Sequence, residues 1–308
     1  MTSTLRTGRL ASRPWTAVWG RTAVIGVPMV FLLLVFLLPF LVVFKISLSE
    51  MDGVAFKDLI TWTDGLVHFQ IKLENYLGLL QDALYIQTYL SSLAFATITT
   101  VICLLLAYPF AYFLARSPAD RRPALLMLVM LPFWTSFLLR VYAWKMLLAD
   151  AGVFNNLAIA AGLISEPIKM MNTPFSMVLG MVYTYLPFMI LPLYANLVKM
   201  DLSLLEAAMD LGATPWQAFW RVTVPLSRSG IVAGSMLVFI PCVGEFVIPE
   251  LLGGPQTLMI GRVLWDEFFS NNDWPMAATV AVVMVMFIIV PVAWFSKVRA
   301  EGRAEGSP

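Results

Sequence analysis

Six apolar runs, each long enough to cross a bilayer as a helix, set the pattern of this chain. A hydrocarbon core of about 30 Å takes around 20 apolar helical residues. Stretches 24–46, 89–115, 124–148, 176–198, 229–250 and 276–296 meet that length. The predicted class is an all-α integral membrane protein of six transmembrane helices. The first run (PMVFLLLVFLLPFLVVF) is nearly free of polar groups, whereas the fourth and fifth carry internal breakers: Pro187 and Pro192, then Pro241 and Gly244. A loosened backbone inside a membrane is tolerated where neighbouring helices or a wet cavity satisfy the freed groups. The middle of the bundle is therefore where a pathway is expected.

Composition agrees, since only 13% of the residues are charged against about a quarter in soluble domains. The formal net charge of +1 conceals a segregation that sets orientation. With the N-terminus in the cytoplasm, the inner side holds thirteen basic residues, among them Arg6, Arg9, Arg13, Arg21, Arg116, Arg121 and Arg122. The outer side holds five: Lys45, Lys57, Lys72, Lys169 and Arg262. Basic residues resist translocation, so both termini are expected to be cytoplasmic. The outer loops also carry twelve acids, including Asp266, Glu267 and Asp273. They are either an acidic mouth that concentrates cations or ordinary solvated loops.

The organisation that follows is a cytoplasmic segment 1–22, a transmembrane domain 23–298 with a cytoplasmic loop at 199–227, and a cytoplasmic tail 299–308. The first apolar run is too long for a signal-peptide core and lacks a small-residue cleavage site, so it reads as a retained helix. Cys103 and Cys242 lie inside apolar runs without a CxxC spacing, which argues against a disulfide framework and against a metal site. The outer loop 47–88 mixes charges with Trp62, Phe69 and Tyr76 and is expected to fold as a cap. His68, in that loop, has no clustered partner and reads as a surface residue.

The loop KMDLSLLEAAMDLGATPWQAFWRVTVPLS, residues 199–227, predicts two short helices joined by an elbow. Ser203 with Glu206 three residues later has capping-box spacing. Gly212 permits the positive φ that ends a helix, and Pro215 is suited to begin the next. Trp216, Phe219 and Trp220 then share one helical face, either packed on the bundle or anchoring another protein.

Glu206-Ala207-Ala208, Gly212 and the closing Val222-Thr223-Val224-Pro225 resemble the EAA motif of ABC importer permeases. The segments LPFWTSFLLRVYAW (131–144) and GSMLVFIPCVGEFVIPELLGGPQTLMIGRVLWDEFFSNNDWP (234–275) are similar to putrescine and other polyamine permeases of that family. The resemblance implies the type I importer fold in a bacterial inner membrane, with Glu206, Ala207, Ala208, Gly212 and Pro225 in the ATPase-coupling loop. It also implies a homologous second permease, two copies of an ATPase and an extracytoplasmic solute-binding protein. ATP and Mg would be held by the ATPase, with no cofactor in this chain. Putrescine is the implied solute. Val222 and Val224 stand where the motif usually has isoleucine and leucine.

Charged side chains within spans are costly and default to functional hypotheses. Arg140 in the third run and Glu245 in the fifth each lie some 16 residues from the cytoplasmic end, roughly 24 Å at 1.5 Å per residue. Two readings stay open: an Arg140–Glu245 ion pair that staples two helices, or a carboxylate that meets a substrate cation. Trp134, Tyr142 and Phe246 flank these positions and are candidate cation–π contacts, with Trp144 and Tyr185 at similar depth. Lys145 is expected to snorkel to the interface, and 249–255 (PELLGGP) reads as a bend. Glu245 is the only acid deep in a span, which leaves no acid–base pair for an intramembrane enzyme. The absence of GxxxxGK[ST] means that ATP hydrolysis must come from a partner. A secondary transporter or channel for cations is the rival class.

Overall fold

The computed structural model describes residues 15–52, 55–56, 60–63, 66–69 and 73–304. Arg6, Arg9, Arg13, Lys57, Lys72 and residues 305–308 lie outside them, as do the side chains of Trp62, His68 and Phe69. Helix accounts for almost everything described. Helix α1 (Trp15–Leu32) runs through a π-turn at Leu33–Leu37 into α2 (Leu38–Ser47). Two small antiparallel hairpins follow, β1 (Met51–Asp52) with β2 (Ala55–Phe56), and β3 (Ile60–Thr63) with β4 (Leu66–Phe69). Then come α3 (Glu74–Gln81), α4 (Ala83–Arg116), α5 (Arg122–Met130), α6 (Phe137–Leu148), α7 (Val153–Ala160) and α8 (Pro174–Leu197). The chain continues as α9 (Ser203–Asp210), α10 (Pro215–Ala218), α11 (Val224–Leu226), α12 (Arg228–Val243), α13 (Val247–Leu252), α14 (Ile260–Trp265) and α15 (Trp274–Ala304).

All six apolar runs are helical, but the count of six whole spans is not exact. Among the described residues, three helices are long and apolar enough to cross alone: Ala23–Ser47, Ala83–Arg116 and Pro174–Leu197. The third run is a pair bent by 84°, Arg122–Trp134 and Phe137–Ala160, and the end of the 199–227 loop, Pro215–Leu226, meets the first part of the fifth run, Arg228–Val243, at a bend of 64°. Trp274–Ile289 is a shorter apolar helix.

Not every break falls where the breakers predict. Pro187 and Pro192 lie inside the continuous α8, whose start is fixed by a reciprocal capping box between Thr173 and Ser176. The break in the third run is at Thr135 and Ser136, both extended (ψ 152 and 138), just after Pro132. The fifth run does break as expected: α12 stops at Val243, Gly244 and Glu245 turn, and α13 restarts at Val247.

Helices α4, α8 and α12 form the core. Small residues of α4 (Ala96, Cys103, Ala107, Ala111) recur at helical spacing and are fully buried against Met177, Met181, Met189 and Leu193 of α8. Both cysteines are free. Helix α12 closes on α8 through Gly230 and Gly234, a Gly-xxx-Gly pair that allows close backbone approach. A Cβ on Gly234 would sit 2.7 Å from Met189 Sδ and 3.1 Å from its carbonyl. Gly234→Leu is therefore expected to lower the yield of folded permease and its thermal stability, by about 2 kcal/mol or more from overpacking. Near-wild-type melting would show that the crossing is looser than this geometry implies.

Part of the 47–88 connection is tied down as a cap over the helix ends. The Tyr76 hydroxyl lies 2.7 Å from Ser47 Oγ, Asn75 Nδ2 donates to the Ser49 carbonyl at 3.1 Å, and Thr279 Oγ1 donates to the Ser47 carbonyl at 3.1 Å. These bonds join the end of α2 to α3 and α15.

Candidate functional site

The breaks in the third and fifth runs face each other across α8 and leave a cavity of about 440 Å³. Phe133, Phe137 and Arg140 line it from the third run, Thr184, Tyr185 and Phe188 from α8, and Gly244, Glu245 and Phe246 from the fifth. Glu245 is only 9% exposed. Its Oε1 accepts hydrogen bonds from the backbone N–H groups of Val247 (3.1 Å) and Ile248 (3.4 Å), in the first turn of α13. Its Oε2 accepts from the Tyr185 hydroxyl. A carboxylate at a helix start satisfies donors that have no intrahelical partner. Gly261 of α14 backs the turn so closely that a Cβ there would lie 2.4 Å from the Gly244 carbonyl oxygen.

Arg140 shares the cavity without an ion pair to Glu245, whereas Arg262 pairs with Glu250 at 2.6 Å. The stapling ion pair is thus absent, because the carboxylate turns to Tyr185 and α13 while the guanidinium turns to two rings of its own run. It lies 5.0 Å from the Phe133 ring centroid and 5.9 Å from that of Phe137. Its Nε and Nη1 are buried with no hydrogen-bond partner.

Of the flanking aromatics expected here, only Phe246 lines the cavity, stacked on Trp265 at 4.5 Å and 11°. Trp134 is 76% exposed and Tyr142 49% exposed. The turn at Leu131–Trp134 points Trp134 away, and Tyr142, two residues after Arg140, lies about 200° around the helix from it. Phe137, one turn before Arg140 on the same face, is the aromatic that the i, i+3 rule singles out. Trp144 packs against Phe154 and Tyr183, and Lys145 is exposed.

Two of the three acids of the 266–273 segment, Glu267 and Asp273, are occupied by structure. Glu267 accepts from the Tyr85 hydroxyl (2.7 Å) and from Asn271 Nδ2 (2.9 Å), and Asp273 accepts from the Met276 N–H at the start of α15 (3.0 Å). Glu267→Gln and Asp273→Asn are each expected to cost about 1 kcal/mol in stability, the usual worth of such bonds and caps. That loss should persist in high salt, where a purely long-range effect of the acids would be screened. A transport defect that disappears in high salt, with stability unchanged, would restore the gathering role.

A second candidate site lies between α8 and α12. Helix α9 begins at Ser203 with Leu202 at its N-cap and no side-chain cap from Ser203; the Asp201 Oδ1 one residue earlier accepts from the Ser203 N–H at 3.0 Å. That bond holds the Asp201 carboxyl below the usual carboxylate range. Gly212 has φ +87, and the Ala213 N–H bonds the Ala208 carbonyl at 3.0 Å, closing the helix as left-handed glycine caps do. Pro215 opens α10 behind a Thr214–Gln217 capping box. A π-turn at Phe219–Thr223 then leads into α11. Phe219 is held on α4 by edge contacts with Tyr108 (5.5 Å) and Tyr112 (6.0 Å). Trp216 and Trp220 remain 69% and 52% exposed. The aromatic face therefore does both things: Phe219 packs and the tryptophans stand out. Glu206, Ala207 and Pro225 are exposed and Ala208 is half-buried.

Residues 107–295 match the family described as binding-protein-dependent transport system inner membrane component. The spermidine/putrescine transport system permease protein PotB of Haemophilus influenzae is 42% identical over 86% of this chain and 91% of its own length. PotB of Escherichia coli is 44% identical over 72% of this chain and 81% of its own, and the inner membrane ABC transporter permease YdcU of that organism is 34% identical over 75% and 77%. Among solved structures, a chain of a bacterial ABC transporter that imports the acidic polysaccharide alginate superposes with a TM-score of 0.68 at 17% identity. It covers 94% of this chain and 99% of its own, so the fold is that of an ABC importer permease. By the family match and by these relatives, the chain belongs to the inner membrane components of binding-protein-dependent transport systems.

Proposed function

We propose that this chain is one permease subunit of an ATP-driven importer for polyamines, with putrescine and spermidine as its solutes. The observation that carries the reading is a buried carboxylate, Glu245, facing an aromatic-walled cavity in a chain whose relatives include permeases named for spermidine and putrescine. A polyamine is a methylene chain with ammonium groups, and such groups are attracted to carboxylates and to aromatic faces. Glu245, Arg140 and Phe246 form this chain's share of the pathway at this cavity, which Trp134 and Tyr142 do not line.

The exposed elbow bearing Glu206, Ala207, Ala208, Gly212 and Pro225 supports docking of an ATPase that holds ATP and Mg. A homologous second permease completes the pathway, two ATPase copies drive it, and an extracytoplasmic binding protein delivers the solute. Both termini lie in the cytoplasm, on the charge asymmetry of the loops. The test is labelled-solute uptake by the reconstituted complex, with putrescine, spermidine and an amino acid compared. ATP-dependent uptake of either polyamine but not the amino acid is expected. Uptake of the amino acid alone overturns the solute, and uptake without ATP favours a secondary transporter.

A further inference from the structure

Arg140 has features that a pathway role does not account for. A guanidinium with two buried, unbonded nitrogens would ordinarily be drawn to the nearest carboxylate, and Glu245 lines the same cavity. Glu245 is nevertheless bound by Tyr185 and two amides, while Arg140 rests over two phenyl rings. Guanidinium is planar and weakly hydrated, and it stacks on aromatic faces where the compact, strongly hydrated ammonium does so less readily. The resting place suits its occupant. Among the described residues no other acid lines the cavity.

We propose that the faces of Phe133 and Phe137 form a guanidinium seat that Arg140 fills as a tethered occupant, leaving Glu245 as the one position in this cavity open to a substrate cation. The functional half of the inference rests on the polyamine reading above. It makes Arg140 a specificity-determining residue. One ammonium of a polyamine reaches Glu245, its remaining cationic ends are repelled by the fixed guanidinium and lie beyond this cavity, and solutes ending in a guanidinium find their favoured seat taken.

The test uses the assembled complex of both permeases with the ATPase, purified without the binding protein, and reads its melting temperature. Methylguanidinium, methylammonium and urea are the probes, urea being the neutral planar analogue. Arg140→Ala vacates the seat, so methylguanidinium should stabilise this variant at least about threefold more, in degrees, than the wild type, as binding to the folded state requires. Methylammonium should do so less, and urea not at all. Equal shifts in wild type and variant, or a shift with urea matching methylguanidinium, overturn the seat. Arg140→Gln serves as the second variant, and failure of both to assemble assigns Arg140 to folding and also overturns the proposal.

A putrescine arm separates this inference from the reading it rests on. Putrescine should stabilise the wild type, and Glu245→Gln should abolish that shift. The Arg140→Ala/Glu245→Gln double variant should keep its response to methylguanidinium. If putrescine never shifts the wild type, the polyamine reading and the specificity role fall together while the seat stands or falls on methylguanidinium. If putrescine shifts Glu245→Gln as much as the wild type, Glu245 is not the open position.

Discussion

Glu245→Gln is expected to leave a folded, assembled permease that imports polyamine far more slowly. The substitution keeps a side-chain oxygen for the α13 amides but removes the charge that strengthens the bond from Tyr185. Bonds to charged groups are worth about 1.5–3 kcal/mol against about 1 for neutral ones, so the stability loss should be about 1–2 kcal/mol. Removing the carboxylate from a desolvated contact with an ammonium costs about 2–5 kcal/mol, which is a loss of roughly thirtyfold or more in transport. Adding Arg140→Leu should not restore stability, since no ion pair exists to be broken. The coupling between the two changes should fall well short of the ~3–5 kcal/mol seen when a buried pair loses one partner. Melting curves and ATP-dependent uptake for both singles and the double decide the matter. Stability rescued by the second change would mean that the pair forms after all, and wild-type uptake in Glu245→Gln would leave the carboxylate without a transport role.

Gly212→Pro is expected to abolish ATP-driven uptake with the membrane helices intact. Its φ of +87 is closed to proline, whose ring holds φ near −65°, and the Gly212 N–H that bonds the Met209 carbonyl at 2.9 Å would be lost. Gly212→Ala meets no neighbour within 4 Å, so its cost is the left-handed backbone alone, about 1–2 kcal/mol, and Gly212→Asn should cost less. The graded order Asn, Ala, Pro in uptake, with equal helical content, would tie coupling to the elbow. Glu206→Lys reverses an exposed charge without touching the backbone, so it should fold normally and fail to retain the ATPase on co-purification. Normal uptake with a normally retained ATPase in either Gly212→Pro or Glu206→Lys would remove the elbow from the coupling path.

The elbow was legible from sequence because its determinants are local. A glycine that must be left-handed, a proline at a helix start and a Thr214–Gln217 box act within a few residues of themselves. The apolar runs were legible for the same reason. The break at Gly244 was legible too, but the others were not, because a proline kinks a helix only where its neighbours allow it. Pro187 sits in an α8 packed by α4 and α12, and it stays helical. Thr135 and Ser136 carry no strong breaking signal, yet the chain turns there. The partner of Glu245 was also out of reach: Tyr185 is 60 residues away in sequence, and matching depth with Arg140 pointed to the wrong side chain. Depth along a helix is a one-dimensional quantity, whereas pairing depends on which way each helix faces.

The 64° joint between Pro215–Leu226 and Arg228–Val243 makes the two segments a bell crank. Its pivot is Ser227, whose hydroxyl is tied to Tyr108 at 2.8 Å and to the Val224 carbonyl at 2.9 Å. The short arm has twelve residues and a length of about 18 Å, and the long arm has sixteen and about 24 Å. A swing of about 10° that carries the exposed Trp216 through roughly 3 Å would carry Gly244 through roughly 4 Å at the other end, if both arms stay rigid. Glu245 rides at that far tip, so with rigid arms a modest push on one tryptophan would reach the cavity lining slightly magnified.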